Sequence, residues 1–306
     1  TMVGLVATVD LHGAAVHDIT SLFGESSPWQ IDGDAVGTVD VRYTERGLEL
    51  AGNASIPDAV VHVPAAGDVY PLELDRLGLT FTYAERKMQI QDLALERADS
   101  TLHGAGSAGS AVGEPLRADV DFTTTAARLE DMPLDLFHIP IPLKGDARIA
   151  GSLHGVLDGS GPEPMTVDVN VTAPQFAAAG LPMENGNVAL QFLRRQGGSE
   201  LIVRHGTSDG TFRAEGAGHF YPDQRLMDGV KLTLNDIDLA KLTAMMQNGN
   251  LPVTLALPDG LTGQGQVAIT ADGSYTKPDL SLGFDFNRLA FGKFPLPDLR
   301  GQLHGV

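Results

Sequence analysis

One pattern is written three times along this chain, roughly 110 residues apart. Each copy opens with an alternating strand, passes a short helix-like stretch and a Pro- or Gly-marked hinge, and continues as strands punctuated by glycine. In the first, Leu5, Ala7, Val9 and Leu11 alternate with polar residues, Ile19 to Phe23 breaks the period, and Gly33-Asp34-Ala35 restarts it. In the second, Leu116, Ala118, Val120 and Phe122 lead into Ala126 to Met132 and then Gly145-Asp146-Ala147. In the third, Val230, Leu232 and Leu234 lead into Leu239 to Met246 and Gly263-Gln264-Gly265. Strand-rich repeats of this kind build an elongated body with one continuous face. The reading is therefore one continuous repetitive groove over 1–306, with approximate repeats 1–115, 116–229 and 230–306, the last truncated. The tract Gly104 to Gly113 is the nearest thing to a linker, and it is expected to be a long hairpin loop.

Period-two alternation recurs almost everywhere. Val167, Val169 and Val171 share one side against Asp168 and Asn170; Leu280, Leu282, Phe284 and Phe286 share one side against Ser281 and Asp285. Leu77, Leu79, Phe81 and Tyr83 repeat the pattern, as do Val188, Leu190 and Phe192, and Val267 with Ile269. Strands buried on both sides would read as unbroken apolar runs. These strands instead predict an antiparallel-rich sheet with one apolar and one wet face. Asn185-Gly186 and Asp272-Gly273 are hairpin signals, because both residue types tolerate positive φ. Helix is expected only in short pieces: Leu239 to Met246, with Asp238 as N-cap and a bland role as a lid or end-plug, and weaker versions at Ala126 to Met132 and His17 to Phe23. The apolar face needs a cover. Two sheets closing on each other or one curled sheet would both supply it, and the repeat favours the second.

Composition narrows what such a sheet does. The formal charge is −18, from 39 acidic and 21 basic residues, with no basic stripe. Nucleic-acid binding needs clustered Lys and Arg, so it is excluded, and docking on anionic membrane surfaces by charge is disfavoured. There is no cysteine, which removes disulfides, thiolate catalysis and thiolate metal sites. No apolar stretch nears the ~20 residues that span a bilayer. The chain opens and stops in strand-like sequence, so it reads as a piece of a longer repetitive protein whose anchor lies elsewhere.

The stretch Met165-Thr166-Val167-Asp168-Val169-Asn170-Val171-Thr172-Ala173-Pro174, followed by Gly180-Leu181-Pro182-Met183-Glu184-Asn185-Gly186, resembles the repeat unit of the AsmA/TamB-type proteins. So does Gly273 to Gly301, where Pro278-Asp279-Leu280 starts a strand and Phe294-Pro295-Leu296-Pro297-Asp298-Leu299-Arg300-Gly301 ends the unit. Met88-Gln89-Ile90 through Leu93-Ala94-Leu95 to Leu102-His103-Gly104, and the opening Ile237-Asp238-Leu239, fit as well. The resemblance covers most of the chain and rests on degenerate patterns. It implies a long, taco-shaped β-sheet with an apolar groove, in the periplasm and tethered to the inner membrane by a segment absent here. It implies, further, phospholipid transfer between the two membranes as in bridge-like lipid-transfer proteins, and a part in outer-membrane protein assembly through regions outside this chain.

The physical case runs beside it. Acyl chains gain roughly 0.8 kcal/mol per CH₂ removed from water, so an apolar trough holds lipid without specific contacts. The expected lining is Leu77, Leu79, Phe81, Val120, Phe122, Val167, Val169, Val171, Leu190, Phe192, Val267, Ile269, Leu280, Leu282, Phe284 and Phe286. An aliphatic lining suits sliding better than a pocket with polar anchors. No cofactor, metal or catalytic residue is expected. His12, His103, His154, His205 and His304 neighbour glycines at strand ends and lack HxH or HExxH spacing. Asp158-Gly159-Ser160-Gly161 lacks the ligand count of a calcium loop, and Gly104-Ala105-Gly106-Ser107 lacks the lysine and helix of a phosphate loop. No GxSxG elbow occurs. A polysaccharide-acting solenoid would want aromatic platforms with paired carboxylates, and the aromatics here fall on the apolar side. The alternatives left are a periplasmic scaffold that guides outer-membrane proteins by strand addition at the sheet edge, and a closed sandwich adhesin.

Overall fold

A computed structural model describes residues 5–16, 30–45, 47–65, 68–110, 114–132, 142–157, 159–178, 180–210, 212–241, 243 and 260–305. The alternating segments become strands: β1 (Leu5–Ala15), β2 (Gln30–Asp32), β3 (Asp34–Thr44), β4 (Gly47–Ala65), β5 (Asp68–Ala84), β6 (Lys87–Arg97), β7 (Ser100–Gly109), β8 (Arg117–Arg128) and β9 (Leu143–Val156). The second half continues with β10 (Met165–Ala178), β11 (Leu181–Arg195), β12 (Gly198–Gly210), β13 (Arg213–Tyr221), β14 (Leu226–Asp238), β15 (Leu261–Ser274), β16 (Lys277–Phe291), β17 (Phe294–Pro295) and β18 (Leu299–Gly305). All belong to one 18-stranded sheet, as the all-β reading expects, rather than to two sheets.

The ladder follows the chain. β1 pairs with β3, β3 and β2 with β4, and each strand from β4 to β8 with the next, all antiparallel. β8 to β12 join consecutively in the same sheet, and β12 to β16 continue the antiparallel ladder to β17 and β18. Hairpin connections make this the natural order, since each strand finds its neighbour at the smallest loop-closure cost.

Two compact units divide the chain. The first takes Thr1–Ala127, Arg148–Val169 and Phe192–Ser199. Its packed cluster gathers Val16, Ala35, Ile56, Ala59, Leu74 and Leu77, with Leu11, Ile31, Val61, Leu72 and Leu95 against it. The Val16 amide donates to the Gly33 carbonyl at 3.1 Å, closing the end of β1 onto the start of β3. The second takes Arg128–Ala147, Asn170–Gln191 and Glu200–Val306. Its cluster is Ile237, Leu239 and Leu289, backed by Phe212, Leu234, Leu261, Val267 and Phe286. Here a helical turn begins at Leu239, and Asp238 caps it by accepting the Lys241 amide at 3.1 Å. Leu239 is buried in this cluster. Leu242, Met245 and Met246, like Ile19 to Phe23, lie outside the described residues.

Both clusters sit beside strand residues of left-handed backbone conformation. Asp58 in β4 (φ 48°), Asp236 in β14 (φ 57°) and Arg288 in β16 (φ 53°) are left-handed residues inside strands. Such bulges bend a strand and re-aim the residues beyond them. The residues beyond these positions are the buried ones: Ala59 after Asp58, Ile237 after Asp236 and Leu289 after Arg288.

Four local expectations are corrected. Gly104 to Gly109 is not a hairpin loop but the second half of β7, because Gly104 and Gly106 lie opposite Phe122 and Val120 and make room for them. Ala126 to Met132 is strand through Arg128 and then one 3-10 turn at Leu129–Asp131, not a helix. Asn185-Gly186 lies inside β11; Asn185 uses its tolerance of positive φ (52°) for an irregularity in the strand, and the hairpin falls at Gly180 (φ 81°). The turn joining β15 to β16 is Tyr275-Thr276, two residues past Gly273. Among the described residues no helix is long and apolar enough to cross a membrane.

Candidate functional site: an uncovered apolar face

Residues directly paired across antiparallel strands point to the same side. Register therefore assigns faces strand by strand. In the first unit Leu5, Ala7, Val9 and Leu11 stand opposite Tyr43, Val41, Val39 and Gly37. The same side carries Leu50, Gly52, Ala54 and Ile56 against Tyr83, Phe81, Leu79 and Leu77. Then Leu95, Leu93, Ile90 and Met88 meet Leu102, Gly104, Gly106 and Ala108, with bulges absorbing the slips, and Phe122, Val120 and Ala118 follow. Every one of these positions is aliphatic, aromatic or glycine.

The second unit repeats the arrangement. Leu201 and Val203 face Phe220 and Gly218. Leu234, Leu232 and Val230 face Val267, Ile269 and Ala271, which face Phe284, Leu282 and Leu280 on their other side. Leu282, Phe284 and Phe286 then meet Leu303, Gly301 and Leu299. Ser208 is the single hydroxyl in this set, opposite Ala214.

The opposite side is polar and cross-linked. Arg76 pairs with Glu96 at 2.5 Å, His103 with Asp92 at 3.1 Å, His219 with Glu200 at 2.8 Å, Arg300 with Asp285 at 3.0 Å, and His154 with Asp119. Thr8 donates to Asp40 at 2.7 Å. The Arg76 hydrogen bond, more than its charge, holds the Glu96 carboxyl below the usual carboxylate range. The Gly145 amide, donating at 2.9 Å, does the same for Glu130. Exposed pairs of this kind contribute little stability. What they fix is which side of the sheet faces water.

Among the described residues, stretches of the apolar side stand open to solvent. Met165, Met183 and Leu129 are buried outside the two clusters, whereas Leu5 is 64% exposed, Tyr43 58%, Leu280 42% and Leu303 62%. Isolated exposed apolar residues are ordinary, but a contiguous registered row of them marks a binding surface. Of the expected lining, Leu77 belongs to the packed cluster, and Val267 and Phe286 lean on the other. Leu79, Phe81, Val120, Phe122, Ile269, Leu282 and Phe284 are half-buried on the open face in register with one another. Val167, Val169 and Val171 on β10 and Leu190 and Phe192 on β11 are half-buried too. Val188, their companion on β11, turns its methyls toward Gly206, which lies on the apolar side opposite Gly216.

Sequence reasoning missed the rows of β1, β3, β6 and β18 as lining, although β1 alternates plainly. It lacked the register that sets Leu5 beside Tyr43 and Leu303 beside Leu282.

The large rings are seated in a particular way. Phe284 stands opposite Gly301, and a Cβ added to Gly301 would first meet the far end of that ring. Phe286 overlies Gly265, where an added Cβ would meet both the ring and the Asp285 carbonyl. A Cβ on Gly151 would come within 2.6 Å of the Phe122 ring tip, and one on Gly186 within 2.8 Å of Phe176. The rings lie across neighbouring strands, over glycines, instead of standing on the sheet.

Among the described residues no group of three or more His, Asp or Glu side chains is placed to hold a metal ion. Comparison with protein-family models, with curated proteins and with solved structures found no match.

Proposed function

We propose that this chain is a non-enzymatic lipid conduit whose apolar face shelters phospholipid acyl chains. The observation that carries the reading is the registered apolar face itself: Val267–Phe284, Ile269–Leu282 and their neighbours are aliphatic or aromatic at position after position, with Leu232 and Leu280 exposed among them. A hydrocarbon chain on this face leaves water at roughly 25 cal/mol per Å² and itself forms no hydrogen bond to the few hydroxyls there, Tyr43, Tyr83, Thr124 and Ser208. The ion pairs of the other side keep that surface in solvent, so the head group needs no protein partner. Transfer between the inner and outer membranes, in a periplasmic and membrane-anchored parent protein, rests on the resemblance to the AsmA/TamB-type repeat.

The test is mass spectrometry of gently purified protein, with Ile269→Glu as the comparison. Phospholipid in the parent and its loss in the variant, whose strand content stays the same, support the conduit. Lipid-free parent protein sinks it. A photo-crosslinker at Ile269 adds a second reading of the same site: lipid-sized adducts support the conduit, and polypeptide-sized adducts favour the scaffold that guides other proteins.

A further inference from the structure

The seating of the phenylalanine rings bears on how a chain moves along the face, and it rests on the lipid reading. Phe284 and Phe122 are phenyl rings on the open face, directly paired or flanked by Val, Leu and Gly positions. A phenyl ring standing upright would rise above such neighbours as a ridge. Neither ring does so, because a glycine lies beneath each: Gly301 opposite Phe284, and Gly151 beside Phe122 with 2.6 Å between its missing Cβ and the ring tip. Gly301 needs no special backbone conformation, and the three atoms nearest to a Cβ there all belong to the Phe284 ring. Backbone geometry therefore does not demand glycine at this position, and the ring does.

We propose that Gly301 is a positioning residue that keeps the apolar face level. The face would then accept linear, flexible hydrocarbon chains lying along it and let them pass the aromatic positions without a step. A Cβ at Gly301 lifts the Phe284 ring off the sheet and turns a level stretch into a ridge, whereas a leucine at position 284 lowers the ridge again.

The test compares parent protein, Gly301→Ala, Phe284→Leu and the double variant Gly301→Ala/Phe284→Leu. Each is measured for phospholipid bound per protein and for the rate at which a fluorescent fatty acid leaves it, with strand content and melting temperature recorded. The expected result is about twofold or greater loss of bound lipid and slower release in Gly301→Ala, as overpacking displaces the ring, with both restored in the double variant. Phe284→Leu alone sets the reference level for the double variant. Because a Cβ on Gly151 would run into the Asp168 carbonyl, the test stays at Gly301. A purely structural role for Gly301 would lower the melting temperature of the single and double variants alike without restoring lipid. That result overturns the inference, as does a Gly301→Ala protein that loads and releases lipid like the parent. A lipid-free parent overturns the conduit reading and this inference with it, whereas a loaded parent with indifferent variants overturns this inference alone.

Discussion

Leu289→Ala and Leu280→Ala remove the same atoms from one strand, β16, in two different surroundings. Leu289 is 7% exposed and packs with Ile237 and Leu239. Truncation in such a cluster loses the transfer energy of the side chain and leaves a cavity, about 2–5 kcal/mol in all. Leu280 is 42% exposed on the open face, opposite Ala271. Burying a whole leucine is worth about 1.5–3 kcal/mol, and little more than half of this one is out of water, so its removal costs about 1 kcal/mol with no cavity to add. A repetitive sheet need not open in one step, so the measurement is native-state hydrogen exchange of the β15 and β16 amides in lipid-extracted protein. Protection should fall severalfold more for Leu289→Ala. Equal losses would refute the reasoning, because Leu280 would then be as covered in solution as a core residue. Adding phospholipid back supplies the complement: the cost of Leu280→Ala should grow, since ligand binding is linked to the folded state that presents the face.

Other perturbations test separate links. Asp238→Ala removes the cap on the Leu239 turn and should cost about 1 kcal/mol, read from faster exchange of the Lys241 amide. Gly106→Ala would drive a Cβ into the Asp119 carbonyl and to 2.7 Å from the Val120 Cα, so it should abolish soluble folded protein; Gly197→Ala, with nothing within 4 Å, should be silent on the same expression and circular-dichroism assay. Glu130 is held below its ordinary value by the Gly145 amide, so its contribution is complete above the ordinary carboxylate range and is lost as pH falls through the lowered value. Glu130→Gln should therefore lower the urea midpoint at neutral pH, and the gap to the parent should close in acid.

Faces were legible in the sequence because side chains alternate on a strand with a period that nothing else produces. Leu280 to Phe286 and Leu77 to Tyr83 needed only that rule. Which strand lies at which register was not legible, because register is set where alternation fails. Ile90 and Leu93 are three apart in sequence yet face the same side, through a bulge against β7. The left-handed positions inside the strands are occupied by Asp58, Asp236 and Arg288, none of them glycine. Conversely, Asn185-Gly186 has turn chemistry and spends it inside a strand. The hairpin between β5 and β6 turns through Glu85 and Arg86, both at positive φ (50° and 63°), a type I′ geometry ordinarily signalled by Asn-Gly. The candidate lining was legible as residues and not as a surface. Whether Leu77 is core or lining depends on Val16, Ala35 and Ala59, which pack around it from elsewhere in the chain.

The hairpin ladder carries a consequence for how such a chain changes over generations. Every strand from β12 to β16 turns back beside the one before it, so any two successive strands begin and end on the same rim. Deleting or duplicating a pair leaves the next strand running in its original direction, with its apolar side still facing the apolar side. An odd number would leave the next strand running the wrong way. Growth in steps of two is thus nearly free of redesign, and the amount of hydrocarbon surface becomes a quantity that gene duplication can adjust without touching any single residue.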